Sequence, residues 1–203
     1  MAISNYTDLK NELSAYLFHQ RLVPRYDNCT QLFETAANTR LRVLPMEAST
    51  LLTTTSGDVT LPTDYLLWRT IKGTARPYED ELDYVHPAYL PPSTYTTGQC
   101  PRLFTIEANT LKIRPVDDTA DVWDFHYYRK IPSLVTAGTN WLLTAYPNAY
   151  LYGVLTELAA VQRNTEMAQL YKARRDEAFA EITQLCALTT GATSPQVRTA
   201  EYF

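Results

Sequence analysis

Three histidines, two runs of carboxylates and two tight arginine pairs are the residues of this sequence that could do chemistry. His19 falls near the end of an N-terminal helical segment, a favoured place for a cation. His86 precedes Pro87 in a proline-rich stretch, and His126 lies within an aromatic strand. Their spacing fits no metal-ligand pattern. His126 with Asp117 and Asp121 would form an acid–base group only if a pocket brought a carboxylate within hydrogen-bond reach of the imidazole. Glu79-Asp80-Glu81-Asp83 and Asp117-Asp118 with Asp121 carry oxygen ligands suited to a hard cation. Neither run has the central Gly and closing Glu of an EF-hand loop, and "PVDDTAD" is ordinary turn chemistry. Both read as solvated turns. Arg40 with Arg42, and Arg174 with Arg175, read as helix-end and ion-pairing groups. GxSxG, GxxxxGK[ST] and GxGxxG do not occur, and six glycines are too few for the usual phosphate-cradling loops. The sequence therefore points to no catalytic residues, no metal and no cofactor.

The elements that would position these groups follow a simple order. Thr7 is expected to cap a first helix with Leu9, Leu13, Tyr16 and Leu17 on one face. A second helix follows Asp27, with Leu32, Phe33, Ala36, Ala37 and Leu41 at helical spacing, and Pro45 stops it. From Ala48 the pattern turns to strands. "STLLTTTSGDVTLP" is broken at Ser56-Gly57-Asp58 and reads as a hairpin. "YLLWRTIK" reads as a strand, Pro87–Leu90 as a short helix, and "RLFTIEANTLKIRP" as a hairpin turning at Asn109. "DVWDFHYYRKIP" places Trp123, Phe125 and Tyr127 on one strand face. Helices return at Tyr146, with Pro147 in a first turn and a stripe of Tyr150, Leu151, Val154, Leu155 and Leu158. After a break at Asn164-Thr165, a last helix runs from Glu166 to about Ala187, with Met167, Leu170, Tyr171, Ala178, Ile182 and Leu185 on its apolar face.

The order of helices, strands and helices predicts an α+β fold. Residues 1–45 and 133–188 are expected to pack as a helical bundle. Residues 46–132 form an inserted antiparallel β-rich lobe, and residues 189–203 an extended C-terminal arm. The chain has 203 residues, 45% hydrophobic and 20% charged, ordinary values for a globular domain. Its net charge of -4 argues against a surface that coats itself with DNA. Cys29, Cys100 and Cys186 are odd in number and widely spaced, which reads as reduced thiols. The most apolar window, Ala145–Val161, holds Pro147, Asn148 and Glu157 and falls short of a membrane span. No secretion signal is visible, so the chain reads as soluble and cytoplasmic when made.

Fifteen tyrosines stand out, about double ordinary usage if roughly 3% is taken as typical. Tyrosine offers stiff contact area with a polar tip and is enriched at interfaces. Together with the proline-rich segments, this favours a protein whose task is to be gripped by others. The competing reading is a small enzyme with a site in the Tyr-rich lobe around His126.

The stretch "NWLLTAYPNAYLYGVL" follows a strand that ends "YYRKIP". The pair resembles the head-to-tail adaptor proteins of short-tailed and related phages. The matching residues are Tyr127, Ile131, Pro132, Asn140 to Leu143, Tyr146, Pro147, Tyr150 to Gly153 and Leu155. Upstream, Arg40 to Val43 with Met46-Glu47, and "LPTDYL", resemble another segment of that family, as does "RLFTIEANTLKIRP". The resemblance spans most of residues 6–185. It implies a structural virion protein, made in the host bacterial cytoplasm and placed at the head–tail interface. Such a protein would form a ring of typically twelve copies beneath the portal protein, as a platform for tail nozzle and tail fibre proteins. Genomic DNA would pass through the ring without sequence-specific binding, and no membrane is involved. Another tail component, a nozzle or fibre-attachment protein, is the alternative. Candidate partner-contact residues are Tyr146, Tyr150, Tyr152, Arg174, Arg175, Gln196, Arg198, Tyr202 and Phe203.

Overall fold

A computed structural model of the chain describes residues 3–17, 20–54, 56–74, 81–92, 101–116 and 121–189. The fold is α+β, and the chain divides into two compact units. One comprises the described residues within Met1–Pro45 and Ile131–Phe203; the other is Met46–Lys130.

The first unit is helical. Helix α1 (Tyr6–Leu17) is capped by Asn5, whose Oδ1 accepts the Asp8 N–H at 2.9 Å. Asp8 in turn accepts from the Ser4 N–H and hydroxyl. The expected cap, Thr7, lies inside the helix, because the Ser4–Asp8 and Asn5–Asp8 bonds satisfy the first turn earlier. Leu9 and Leu13 are fully buried, as expected, whereas Tyr16 remains exposed. Helix α2 (Tyr26–Arg40) buries Phe33 and Ala37 but leaves Leu32 exposed. Two short helices follow the β-rich unit, α3 (Leu134–Ala137) and α4 (Trp141–Ala145). Helix α5 (Pro147–Val161) starts on proline and buries the whole predicted stripe from Tyr150 to Leu158. Helix α6 (Thr165–Thr189) packs along α5.

The α5–α6 turn is set by local chemistry. Arg163 has φ 58, the left-handed conformation that favours glycine. The Asn164 N–H donates to the Ala159 carbonyl and the Arg163 N–H to the Ala160 carbonyl, both at 3.0 Å, which is the Schellman pattern. Asn164 Oδ1 then accepts the Met167 N–H at 3.1 Å and caps α6. Arg163→Gly should stabilise the protein by about 0.5–1 kcal/mol, measured by urea unfolding at unchanged slope.

The second unit contains two sheets that share one core. The first has the order β1 (Glu47–Thr54), β7 (Asp121–Arg129), β3 (Tyr65–Gly73), all antiparallel. The second has the order β2 (Asp58–Thr60), β6 (Thr110–Arg114), β5 (Leu103–Glu107), β4 (Asp83–Tyr84), with β4 parallel to β5. Alternation on β7 turns Trp123, Phe125 and Tyr127 into that core, beside Leu52, Ile71, Phe104, Leu111 and Ile113. The β5–β6 hairpin forms where the sequence places it. Ser56-Gly57-Asp58 does not make a hairpin. Its two arms go to different sheets, β1 to β7 and β2 to β6. The expected short helix is a 3-10 turn at Pro87–Tyr89.

Candidate functional site

Asn140 opens the "NWLLTAYPNAYLYGVL" block. Its side chain works in two directions. Asn140 Oδ1 accepts the Leu143 N–H at 2.9 Å and caps α4, while its Nδ2 donates to the Pro132 carbonyl at 2.8 Å and to the Tyr150 hydroxyl. The Tyr150 hydroxyl donates to Glu34 Oε1 at 3.1 Å, and the same oxygen accepts the Leu134 N–H at 2.7 Å. One helical turn further along α2, Asn38 Oδ1 accepts the Ile131 N–H at 2.8 Å. Two side chains of α2, four residues apart on one face, thus hold the backbone of the segment leading into α3. Burial pushes the Glu34 carboxyl above its ordinary value, against the opposing pull of the Leu134 N–H and the Tyr150 hydroxyl. Burial and the nearby Glu34 charge also push the Tyr150 phenol up.

The rest of the block is packing. The Tyr150 ring meets Phe33 edge-on at 4.9 Å, and Phe33 stacks on Phe179 at 6.0 Å. Gly153 is where the Phe33 ring lies on the α5 backbone, so that a Cβ there would overlap the ring.

This placement corrects part of the expected contact surface. Tyr150 is fully buried and directed at Asn140 and Glu34, so it presents nothing to a partner. Arg175 is also buried, and its guanidinium pairs with Asp176 at 3.0 Å. Tyr146 and Tyr152 are half-buried, Tyr152 being stacked on Tyr171 at 6.3 Å. Arg174 is exposed and pairs with Glu177 at 3.3 Å. Among the described residues, Tyr146, Tyr152 and Arg174 therefore keep accessible surface, while Tyr150 and Arg175 do not. Gln196, Arg198, Tyr202 and Phe203 lie outside the described residues, as does the arm beyond Thr189.

The second candidate site is the open face of the three-stranded sheet. A shallow cavity of about 400 Å³ there is lined by Glu47, Ser49, Arg69, Thr70 and His126, among others. His126 Nε2 lies 3.0 Å from Asp124 Oδ2, two positions away on the same face of β7. Arg69 pairs with Glu47, and its guanidinium lies 5.4 Å from the centre of the Tyr128 ring. The expected partners of His126 differ from the observed one. Asp121 is an odd number of positions away and so falls on the opposite face of β7, while Asp117 lies outside the described residues. Ser49 stands opposite His126 in the strand register. Among the described residues no hydrogen bond joins that hydroxyl to the imidazole, whereas an activated nucleophile needs its base within such reach. These groups form one ion pair, Arg69 with Glu47, and one histidine–carboxylate hydrogen bond on the open face of the sheet.

Among the described residues, no group of three His, Cys, Asp or Glu side chains comes together to hold a metal ion. Among the same residues, no helix is long and apolar enough to cross a membrane.

No curated protein matches the sequence. The family model described as SU10 adaptor protein matches residues 4–199, a span that takes in both units and the whole Asn140–Gly153 block. The chain belongs to the SU10 adaptor protein family, a family of phage head-to-tail adaptors.

Proposed function

We propose that this chain is a structural subunit of the phage virion that forms a ring beneath the portal protein and carries the tail nozzle and fibres. The observation that carries this reading is the family match over residues 4–199. In this reading the protein is not an enzyme. Its buried polar network holds a rigid helical body, and its exposed tyrosines and leucines supply contact area. The helical unit acts as a bundle, and residues 189–203 act as an arm toward other subunits.

Physical requirements agree. A ring needs a heterologous interface that closes by rotation, and each such interface should bury on the order of 1,000 Å² or more. Leu32, Leu170 and Leu188 are exposed on the helical unit, apolar area that contacts of that size can use. A net charge of -4 suits a wall that DNA must pass without sticking.

A phage lacking this chain tests the proposal. Infected cells should accumulate DNA-filled heads that carry portals but no tail parts. Complete tails on such heads would refute it. Normal heads and adaptor-bearing necks that lack only fibres would move the chain to a later tail position.

A further inference from the structure

The three-stranded sheet of the second unit ends at two edges that are built differently. β3 meets β7 through two register shifts, between Tyr65 and Leu67 and between Trp68 and Thr70. It carries the exposed Arg69 and Lys72. Its Ile71 carbonyl accepts the Leu82 N–H at 3.0 Å, a bond outside the β7 ladder. Bulges, charges and cover are the devices that blunt a sheet edge.

β1 lacks the first two. It pairs with β7 in one unbroken register, from Glu47 opposite Tyr128 to Thr54 opposite Asp121. Past Glu47 the strand holds no charge, no proline and no glycine. Every second residue of an edge strand turns its N–H and C=O away from its neighbour. Among the described residues, no backbone hydrogen bond reaches β1 from that outer side. Ser49, Leu51 and Thr53 face solvent, and Leu51 is 64% exposed.

A strand that extends this edge must match its length. β2 has three residues and β4 two, and β3 is bulged. Among the described edge strands, that leaves β1 of another copy. β1 is complementary to itself when antiparallel. A two-fold axis through Leu51, perpendicular to the sheet, sets Leu51 against Leu51 of the second copy. Ser49 then meets Thr53, Thr50 meets Leu52 and Ala48 meets Thr54. Exposed positions face exposed ones and core-side positions face core-side ones, as a period of two requires. The two leucines shield each other, hydroxyl meets hydroxyl, and Glu47 falls outside the paired stretch, so no like charges are opposed.

We propose that the free chain pairs with a second copy through β1, joining two three-stranded sheets into one of six in the order β3-β7-β1-β1-β7-β3. A two-fold contact closes on itself and builds no ring. The pair belongs to the chain before assembly, where it covers an edge that would otherwise template aggregation, and it opens when subunits enter a ring. The inference goes beyond the proposed place in the virion and does not depend on it.

The test uses the full-length chain without the portal. Sedimentation equilibrium over a concentration series should show the mass rising from one chain toward two and no further. Leu51→Lys sets two ammonium groups opposite each other and should weaken the pair about tenfold or more, with circular dichroism confirming the fold. Leu51→Cys, oxidised with copper–phenanthroline, should give a disulfide-linked dimer, because opposed Cα atoms in an antiparallel pair lie about 4.5–5.5 Å apart. Ser49→Cys mixed with Thr53→Cys should also cross-link. Ser49→Cys alone, with its two copies about 13 Å apart along the strands, should give no more dimer than the wild type. A chain that stays monomeric would overturn the proposal, as would a dimer indifferent to Leu51→Lys that Leu51→Cys fails to link. Self-linking of Ser49→Cys would overturn the antiparallel register, and growth beyond two chains would overturn the two-fold closure.

Discussion

Gly153→Ala is expected to destabilise the protein by about 1–3 kcal/mol or more, the range of overpacking in a filled core. The added methyl group would overlap the ring of Phe33, which cannot simply swing away. That ring is fully buried, with Tyr150 edge-on at 4.9 Å and Phe179 stacked at 6.0 Å. Relief requires α5 to move off α2, which would loosen the bond from Tyr150 on α5 to Glu34 on α2. Denaturant midpoints read the loss. Phe33→Leu in the same chain should recover part of it, since a smaller side chain leaves room for the methyl group. The double variant should therefore be more stable than the sum of the single losses predicts. Additive losses would show that the clash is not with Phe33.

The second large effect is at Glu34. Glu34→Ala should cost about 2–4 kcal/mol, because the Leu134 N–H and the Tyr150 hydroxyl are both left buried without their acceptor. Glu34→Gln keeps a carbonyl oxygen in that place and should recover most of the loss. The pair also predicts a pH dependence. Burial raises the Glu34 carboxyl above its ordinary value of 4.5 in the folded chain, so the folded state holds the proton more tightly than the unfolded one. The stability this contributes is fully present below pH 4.5. It is lost as pH rises through the raised value. Wild type should therefore lose stability relative to Glu34→Gln as pH climbs from about 4.5. Comparing the two chains across pH isolates this effect from that of Asp8, Asp27 and Asp176, whose carboxyls lie below their ordinary values and act in the opposite sense. A constant difference between the chains would mean that Glu34 is not held as a buried acid.

Local chemistry made much of the fold legible. The alternation of Trp123, Phe125 and Tyr127 gave one face of β7, and the spacing from Tyr150 to Leu158 gave the buried stripe of α5. Pro147 marked the start of α5, and Asn109 the β5–β6 turn. What stayed hidden depends on distant partners. Ser56-Gly57-Asp58 announces a change of direction, but not which strand each arm will join; pairing is settled by core faces about 50 to 80 residues apart. Glu34 looks like a surface acid between Phe33 and Thr35, because the groups that bond to it are 100 and 116 residues away.

The interface residues show the same limit. Tyrosine is common at interfaces, which makes Tyr150 a candidate for contact area, yet Asn140 and Glu34 supply the partners that let its hydroxyl be buried. In the sequence Arg175 reads as an ion-pairing group and a candidate partner contact. It falls on the buried face with Tyr171, Ala178, Phe179 and Ile182, a helical spacing visible in the sequence once a paired arginine is admitted to a core stripe. The resemblance block is therefore largely a packing and connecting device. Asn140, Tyr150 and Gly153 serve the inside of the helical unit.

Sedimentation velocity of the full-length chain with the portal ring of the same phage decides whether the two assemble. A complex larger than the portal alone is expected, containing this chain in ring stoichiometry with no need for an added ligand or metal. A chain that sediments unchanged beside the portal, at concentrations well above those of an infected cell, would contradict it.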